Sequence, residues 1–309
     1  MFCEATIEKW ETIQGFFSGL SKSAPGWIFR GHADSTWVLN TSLQRTAANY
    51  EITPRALPHA EWSMLTMFKR RAHHYLQQPP KEEDDIEWLS ILQHHGGITR
   101  LLDCTRSFYI ALFFALESSL TDACVWCISA ERLKAKASGL LTKARLIHTR
   151  KVNVEDDLNY HEGRDSAQAF IGFPDVNNNI VIPVTPYRLN ERMAIQQGIF
   201  LFPTNLAITL EDNLYSMFDV HSMDPLNWLT PYWDDCNVIK LIIPIDCHKE
   251  ILTDLHRMNI TAASLFPGLD GFARSLKYNL RIFEDPEERK KFRKGSTGIL
   301  AKLPKVGKS

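Results

Sequence analysis

Several familiar signatures are missing from this chain, and each absence removes a class of function. No apolar run approaches the roughly 20 residues that a membrane-crossing helix needs, so no membrane partner is expected. Met1–Trp10 lacks the basic region and apolar core of a secretory signal, and a cytoplasmic location is expected. There is no Gly-x-x-x-x-Gly-Lys-Ser/Thr loop, no Gly-x-Gly-x-x-Gly and no nucleophile elbow, which excludes the common nucleoside triphosphatase, dinucleotide dehydrogenase and serine hydrolase designs. Charge of one sign is also lacking. The formal net charge is −1, so nucleic acid would have to meet a local patch rather than the field of the whole protein.

Cysteine is sparse, at six in 309 residues, and free buried thiols fit better than a disulfide framework. Cys124-Val-Trp-Cys127 lies in a strand-like stretch. Residues three apart on a strand point to opposite faces, so these two do not share a metal. The metalloprotease spacing of two histidines on a helix is absent near the main motif, and no metal is expected.

What remains is the composition of a globular protein, 44% apolar and 23% charged. Amphipathic spacing predicts helices over 4–20, 58–75 and 86–94, the last delivering the chain to Gly96-Gly97. Phe108–Leu116 is apolar on every face and predicts a buried helix beginning near Thr105 or Ser107, capped by Asp103 or Thr105. Trp27–Arg30, Cys124–Ser129, Asn179–Val184, Gly198–Phe202 and Val238–Ile245 read as strands. The region 130–178 is more polar, and Phe173–Asn179 reads as a loop by its Pro and Asn content. Helices are expected at 246–257 and 270–277, the second capped by Asp270. The fold class is therefore α+β, a single large domain over 1–288 with a modest mixed sheet flanked by helices. From Arg289 to Ser309 there are eight Lys or Arg and no Asp or Glu, which reads as a flexible basic tail.

Chemistry concentrates in two segments, Trp27-Ile-Phe-Arg-Gly31 and Gln93-His-His-Gly-Gly-Ile-Thr-Arg-Leu-Leu-Asp-Cys-Thr105. Arg30 ends a buried strand, where an Arg needs a partner. It either pairs with Glu61 or Asp103 or aims a planar fork at a phosphate or carboxylate. Arg100 and Arg106 flank the start of the apolar helix, whose free N–H groups and dipole favour an anion, and together suggest a phosphate cradle. His95, before the glycine turn, is the favoured histidine, with His94 the alternative. Gln196-Gln197 precede Gly198, expected as the residue that stops a helix, and side-chain amides suit recognition of a nicotinamide, a base edge or a peptide group.

Phe29-Arg30-Gly31, Trp37 and Leu39, the Gln-His-x-Gly-x-x-Thr-Arg-Leu-Leu-Asp-x-Thr block, Gln196–Phe200 and the later Leu265–Phe272 together resemble the FRG domain, named for its Phe-Arg-Gly motif. A looser resemblance is to the ADP-ribosyltransferase superfamily. It rests on Arg30 as the early-strand residue that holds the dinucleotide, Thr105 with Ala111-Leu-Phe-Phe-Ala115 as the strand leading into a helix, and Gln196-Gln197 near the late catalytic position. This resemblance implies an ADP-ribosyltransferase-like fold, with NAD as substrate. It places Arg30, Gly31, Thr99, Arg100, Thr105, Gln196 and Gln197 around the nucleotide, and Glu61, His95 and Asp103 in catalysis. A Gln stands where that superfamily has its Glu, so the negative charge must come from Glu191, Asp103 or Glu61. The implied reaction cleaves the nicotinamide–ribose bond and passes ADP-ribose to a protein, a nucleic acid or water, in a setting of bacterial defence or toxin systems. Two other readings stand beside it: a non-catalytic module sensing a nucleotide or peptide, and a metal-independent ribonuclease with His95 as base. All three expect Arg30, Arg100 and Gln197 to converge on one pocket. The rival is a buried ion network that encodes only the fold.

Overall fold

The computed structural model describes residues 1–7, 9–23, 26–172, 178–226 and 235–281. The chain opens with β1 (Phe2–Thr6), α1 (Trp10–Ser23) and β2 (Trp27–His32), and continues through α2 (Ser42–Asn49), α3 (Leu57–Ala72) and α4 (Asp85–His94). Next come β3 (Leu102–Thr105), α5 (Phe108–Leu116) and β4 (Ala123–Ser129). Four helices follow, α6 (Ala130–Leu141), α7 (Arg145–Arg150), α8 (Val154–Tyr160) and α9 (Arg164–Gln168), leading to β5 (Val181–Val184), α10 (Glu191–Ile195) and β6 (Gly198–Pro203). Among the described residues there follow α11 (Leu210–Phe218), β7 (Asp224–Pro225), β8 (Val238–Ile243), α12 (His248–Arg257), α13 (Ala262–Leu265) and α14 (Leu269–Ser275).

The fold is α+β, an open mixed sheet flanked by helices. The sheet is larger than the sequence suggests: eight strands in the order β5-β6-β3-β2-β4-β8-β1-β7. β1 runs parallel to β7 and β8, and the other pairings are antiparallel. One row of the register is polar. Arg30 lies opposite Trp126, Trp126 opposite Lys240 and Lys240 opposite Glu4, with the Lys240 ammonium 5.3 Å from the centre of the Trp126 ring.

Four differences from the sequence reading have physical causes. The helix expected from residue 4 begins at Trp10, because residues 2–6 pair with β8, Phe2 opposite Val238 and Thr6 opposite Ile242. Its apolar spacing holds nonetheless, burying Trp10, Ile13, Phe16 and Leu20. Leu102–Thr105, not among the expected strands, is a strand fixed by pairing with β6. The cap of α5 is Ser107, whose hydroxyl accepts from the Ile110 N–H, rather than Asp103 or Thr105. α14 is preceded at its N-cap by Gly268, with Asp270 inside the first turn.

Two compact units divide the chain, 1–260 and 261–309. The first contains the whole sheet. The second contains α13 and α14, which meet closely enough that a Cβ at Gly271 would lie 1.8 Å from the Phe266 carbonyl oxygen. The expected boundary at 288, the basic tail and residues 173–177 of the expected loop at 173–179 lie outside the described residues. Among the described residues no helix is long and apolar enough to cross a membrane.

Candidate functional site

The Phe-Arg-Gly triplet assigns each of its residues a different task on β2. Phe29 joins an aromatic cluster, with ring centroids 5.4 Å from Phe108 and 6.5 Å from Phe17. Gly31 lets helix α5 lie directly on the strand, since a Cβ there would be 2.1 Å from the Ala111 carbonyl oxygen and 2.6 Å from the Ala115 nitrogen. The uniformly apolar α5 is thus pressed against the sheet, burying Ala111, Leu112 and Ala115 completely.

Arg30 spans a gap in the sheet. β2 and β3 share a single residue pair, Phe29 opposite Thr105, whereas β2 pairs with β4 along its whole length from Trp27 to His32. Beyond Phe29 the edges of β2 and β3 part, and the Arg30 guanidinium reaches over to donate to the Asp103 carbonyl oxygen at 2.5 Å. Its Nε donates to His32 Nε2 at 3.3 Å. That bond requires a neutral imidazole, and burial, helped by the charge of Arg30, pushes the His32 pKa down to about 3. Arg45 is close enough to Arg30 that burial and the neighbouring guanidinium both lower its pKa, while Asp103 opposes them.

In the gap lies a cavity of about 270 Å³, at the small end of ligand pockets. Its walls are Arg30 and Gly31 from β2, Asp103, Cys104 and Thr105 from β3, and Ser90, Gln93 and His94 from α4. Asn190, Arg192 and Gln196, on and beside α10, close the remaining side. The two arginines give the cavity a surplus of positive charge over Asp103. The His94 pKa is lowered, first by burial and then by His95 and Arg192. Burial raises the Cys104 thiol to about 12, so it is no nucleophile at neutral pH. Thr105 donates its hydroxyl to the Gln196 carbonyl oxygen at 2.7 Å and accepts from the Ser107 N–H at 3.0 Å, tying α10 to the start of α5.

Five of the residues read from the sequence therefore meet at one cavity: Arg30, Gly31, Asp103, Thr105 and Gln196. The expected convergence of Arg30, Arg100 and Gln197 is not found. Arg100 is fully buried in an ion pair with Glu61, its Nε 2.5 Å from Oε2 and its backbone N–H 2.8 Å from Oε1. The face of its guanidinium lies 4.8 Å from the centre of the Phe202 ring. Glu61 and Arg100 hold α3 to the approach of β3, as the ion-network reading holds. Thr99 serves the same joint. Its hydroxyl donates to Gln93 Oε1 and accepts from the Leu101 N–H, and its carbonyl accepts from the Leu43 N–H.

The phosphate cradle of Arg100 and Arg106 is corrected in the same way, because Arg106 turns to Glu162 at 3.2 Å and to the Gly198 carbonyl oxygen at 3.3 Å. Gln197 is exposed with φ of 50°. It is the left-handed residue that ends α10, the role expected of Gly198. Gly198 instead begins β6, where a Cβ would meet Met193 Cγ at 2.6 Å. Glu191 lies exposed in the first turn of α10. His95 is the exposed residue just after α4, and His94 lines the cavity in its place. Helical spacing carries the missing signal: Ser90, Gln93 and His94 stand at i, i+3 and i+4 on one face of α4. Arg192 and Asn190 had no comparable mark.

No match to the chain was found among curated proteins or among solved structures. The Phe-Arg-Gly strand, the Gln93–Thr105 block and helix α5 fall within residues 25–124, which match the FRG domain; Gln196–Phe200 and Leu265–Phe272 lie beyond the matched residues. By this match the chain carries an FRG domain over residues 25–124.

Proposed function

We propose that the gap between β2 and β3 binds one end of NAD as substrate, and that the protein is an ADP-ribosyltransferase-like enzyme that cleaves the nicotinamide–ribose bond and passes ADP-ribose to a macromolecule. The observation that carries this reading is the meeting of Arg30, Asp103, Thr105 and Gln196 at one cavity, although they come from separate parts of the chain. The residues present suit such a ligand. Arg30 and Arg192 offer guanidinium groups to phosphate oxygens, and the amides of Gln93 and Gln196 both donate to and accept from a carboxamide. A negative charge beside the ribose favours departure of nicotinamide, and Asp103 is the carboxylate that lines the cavity. Glu61 does not suit that task, because Arg100 already occupies it.

The decisive assay is nicotinamide release from NAD by wild type, Arg30→Ala and Asp103→Asn, with protein and RNA acceptors present and absent, followed by mass spectrometry of the acceptors. Release that falls at least about 100-fold in both variants is expected, the scale of losing one positioned catalytic group. A non-catalytic nucleotide-sensing module is the second reading. The Gln at 196 where a Glu is expected and the closure of Glu61 within an ion pair favour it. It expects a rise in Tm on adding nucleotide without turnover. Cleavage of RNA without NAD would instead favour a ribonuclease.

A further inference from the structure

The sulfurs of Cys3 and Cys236 lie 2.8 Å apart, and both residues are buried, 1% and 0% exposed. Cys3 is on β1, opposite Ile239 of β8 and Asp224 of β7; Cys236 stands two residues before β8. The main chain on both sides fixes this approach. The Asn237 N–H donates to the Met1 carbonyl oxygen at 2.9 Å, the Met1 nitrogen donates to the Asp235 carbonyl oxygen at 2.8 Å, and Arg132 donates to the carbonyl oxygen of Cys236 itself. The other buried thiols, Cys104, Cys124 and Cys127, are separate from this pair, and burial keeps each of them protonated.

We infer that Cys3 and Cys236 are an oxidation site, at which a hydroperoxide converts the two thiols to a disulfide joining β1 to the chain entering β8. The two thiols share one hydrogen bond that either sulfur can donate, and the sulfur that accepts it is favoured as the thiolate; the step is written for Cys3, whose pKa this bond lowers. The Cys3 thiolate attacks one oxygen of hydrogen peroxide, the O–O bond breaks, and the departing hydroxide takes a proton to leave as water, giving a sulfenic acid at Cys3. The Cys236 sulfur then attacks the Cys3 sulfur and loses its proton as the S–O bond breaks, and the hydroxide leaves with that proton as a second water. Two thiols and one peroxide thus give one disulfide and two waters. Among the described residues β1 has two residues paired on its outer side, Cys3 and Glu4, so local opening of that edge is the low-cost route for peroxide. The bridge closes a loop between residues 233 apart in sequence, the long-loop case in which a cross-link restricts the unfolded chain most.

The test treats reduced full-length protein with hydrogen peroxide, blocks remaining thiols, and reads intact mass and a non-reducing peptide map. The expected result is loss of two hydrogens, a peptide pair joining Cys3 to Cys236, reversal by dithiothreitol, and a Tm several degrees higher in the oxidised protein. Cys3→Ser and Cys236→Ser each abolish the linked peptide; the wild-type map decides the matter if either variant fails to fold. Oxygen adducts on Cys3 without a bridge, a bridge between any other pair, or an unreacted Cys3 after the more exposed Cys247 has been oxidised would each overturn the assignment. None of these readouts depends on nicotinamide release.

Discussion

At Gly31 an added Cβ meets backbone rather than a flexible side-chain end, so neither neighbour gives way without moving α5. Gly31→Ala is expected to destabilise the fold by about 3 kcal/mol, measured by urea unfolding. Glu61 and Arg100 follow another rule: removal of one partner leaves a buried charge. Glu61→Ala should cost about 3–5 kcal/mol, and the double variant Glu61→Leu/Arg100→Met should cost less than the single, which a double-mutant cycle checks. His32 gives a pH dependence of known sign. Its pKa is about 3 in the folded protein and about 6.5 in the unfolded chain, so the unfolded chain takes up the proton first as pH falls. The stability associated with neutral His32 is complete above pH 6.5 and is lost between there and about pH 3, at up to about 1.4 kcal/mol per pH unit. His32→Gln is expected to flatten that slope in urea melts at pH 7, 6 and 5.

At the scale of elements, the turn joining α10 to β6 divides two adjacent glutamines between structure and site. Gln196 lines the cavity and Gln197 carries the left-handed backbone. Gln197→Gly should leave stability within about 1 kcal/mol of wild type and nicotinamide release unchanged, whereas Gln196→Ala should reduce release. Comparison of urea midpoints and initial rates tests both halves. The sequence reading put Gln197 in the pocket and the structure puts Gln196 there, because the choice depends on which residue takes positive φ. For the same reason His95 was preferred to His94: the motif spacing is legible in one dimension, but the direction of each side chain depends on where α4 ends. Gly31, Asp103 and Thr105 were legible because their residue types are unusual for their surroundings. Arg192 was not, since an exposed Arg at the start of a short helix has many ordinary explanations.

For the whole molecule, the helices and most strands followed from periodicity, but strand order did not. Nothing local tells residues 2–6 that their partner is β8, more than 230 positions later, so an apolar opening segment read as the start of a helix. Pairing between distant segments replaced its local preference. A chain lacking residues 1–6 should reveal the strength of that pairing. It loses the fully packed Phe2 and opens the edge of β8 from Val238 to Ile242. The expected loss is at least about 3 kcal/mol, together with concentration-dependent aggregation from the bared edge, readable by thermal melts and light scattering.

The single pairing of Phe29 with Thr105 makes the sheet two panels of three and five strands, β5-β6-β3 and β2-β4-β8-β1-β7, that meet at a crease. The crease runs between the Phe-Arg-Gly triplet on one panel and the Asp-x-Thr triplet on the other, and Arg30 is the staple across it. A molecule seated in the crease touches both panels at once. If the proposed ligand binds there, its binding and the stiffening of the sheet are one event.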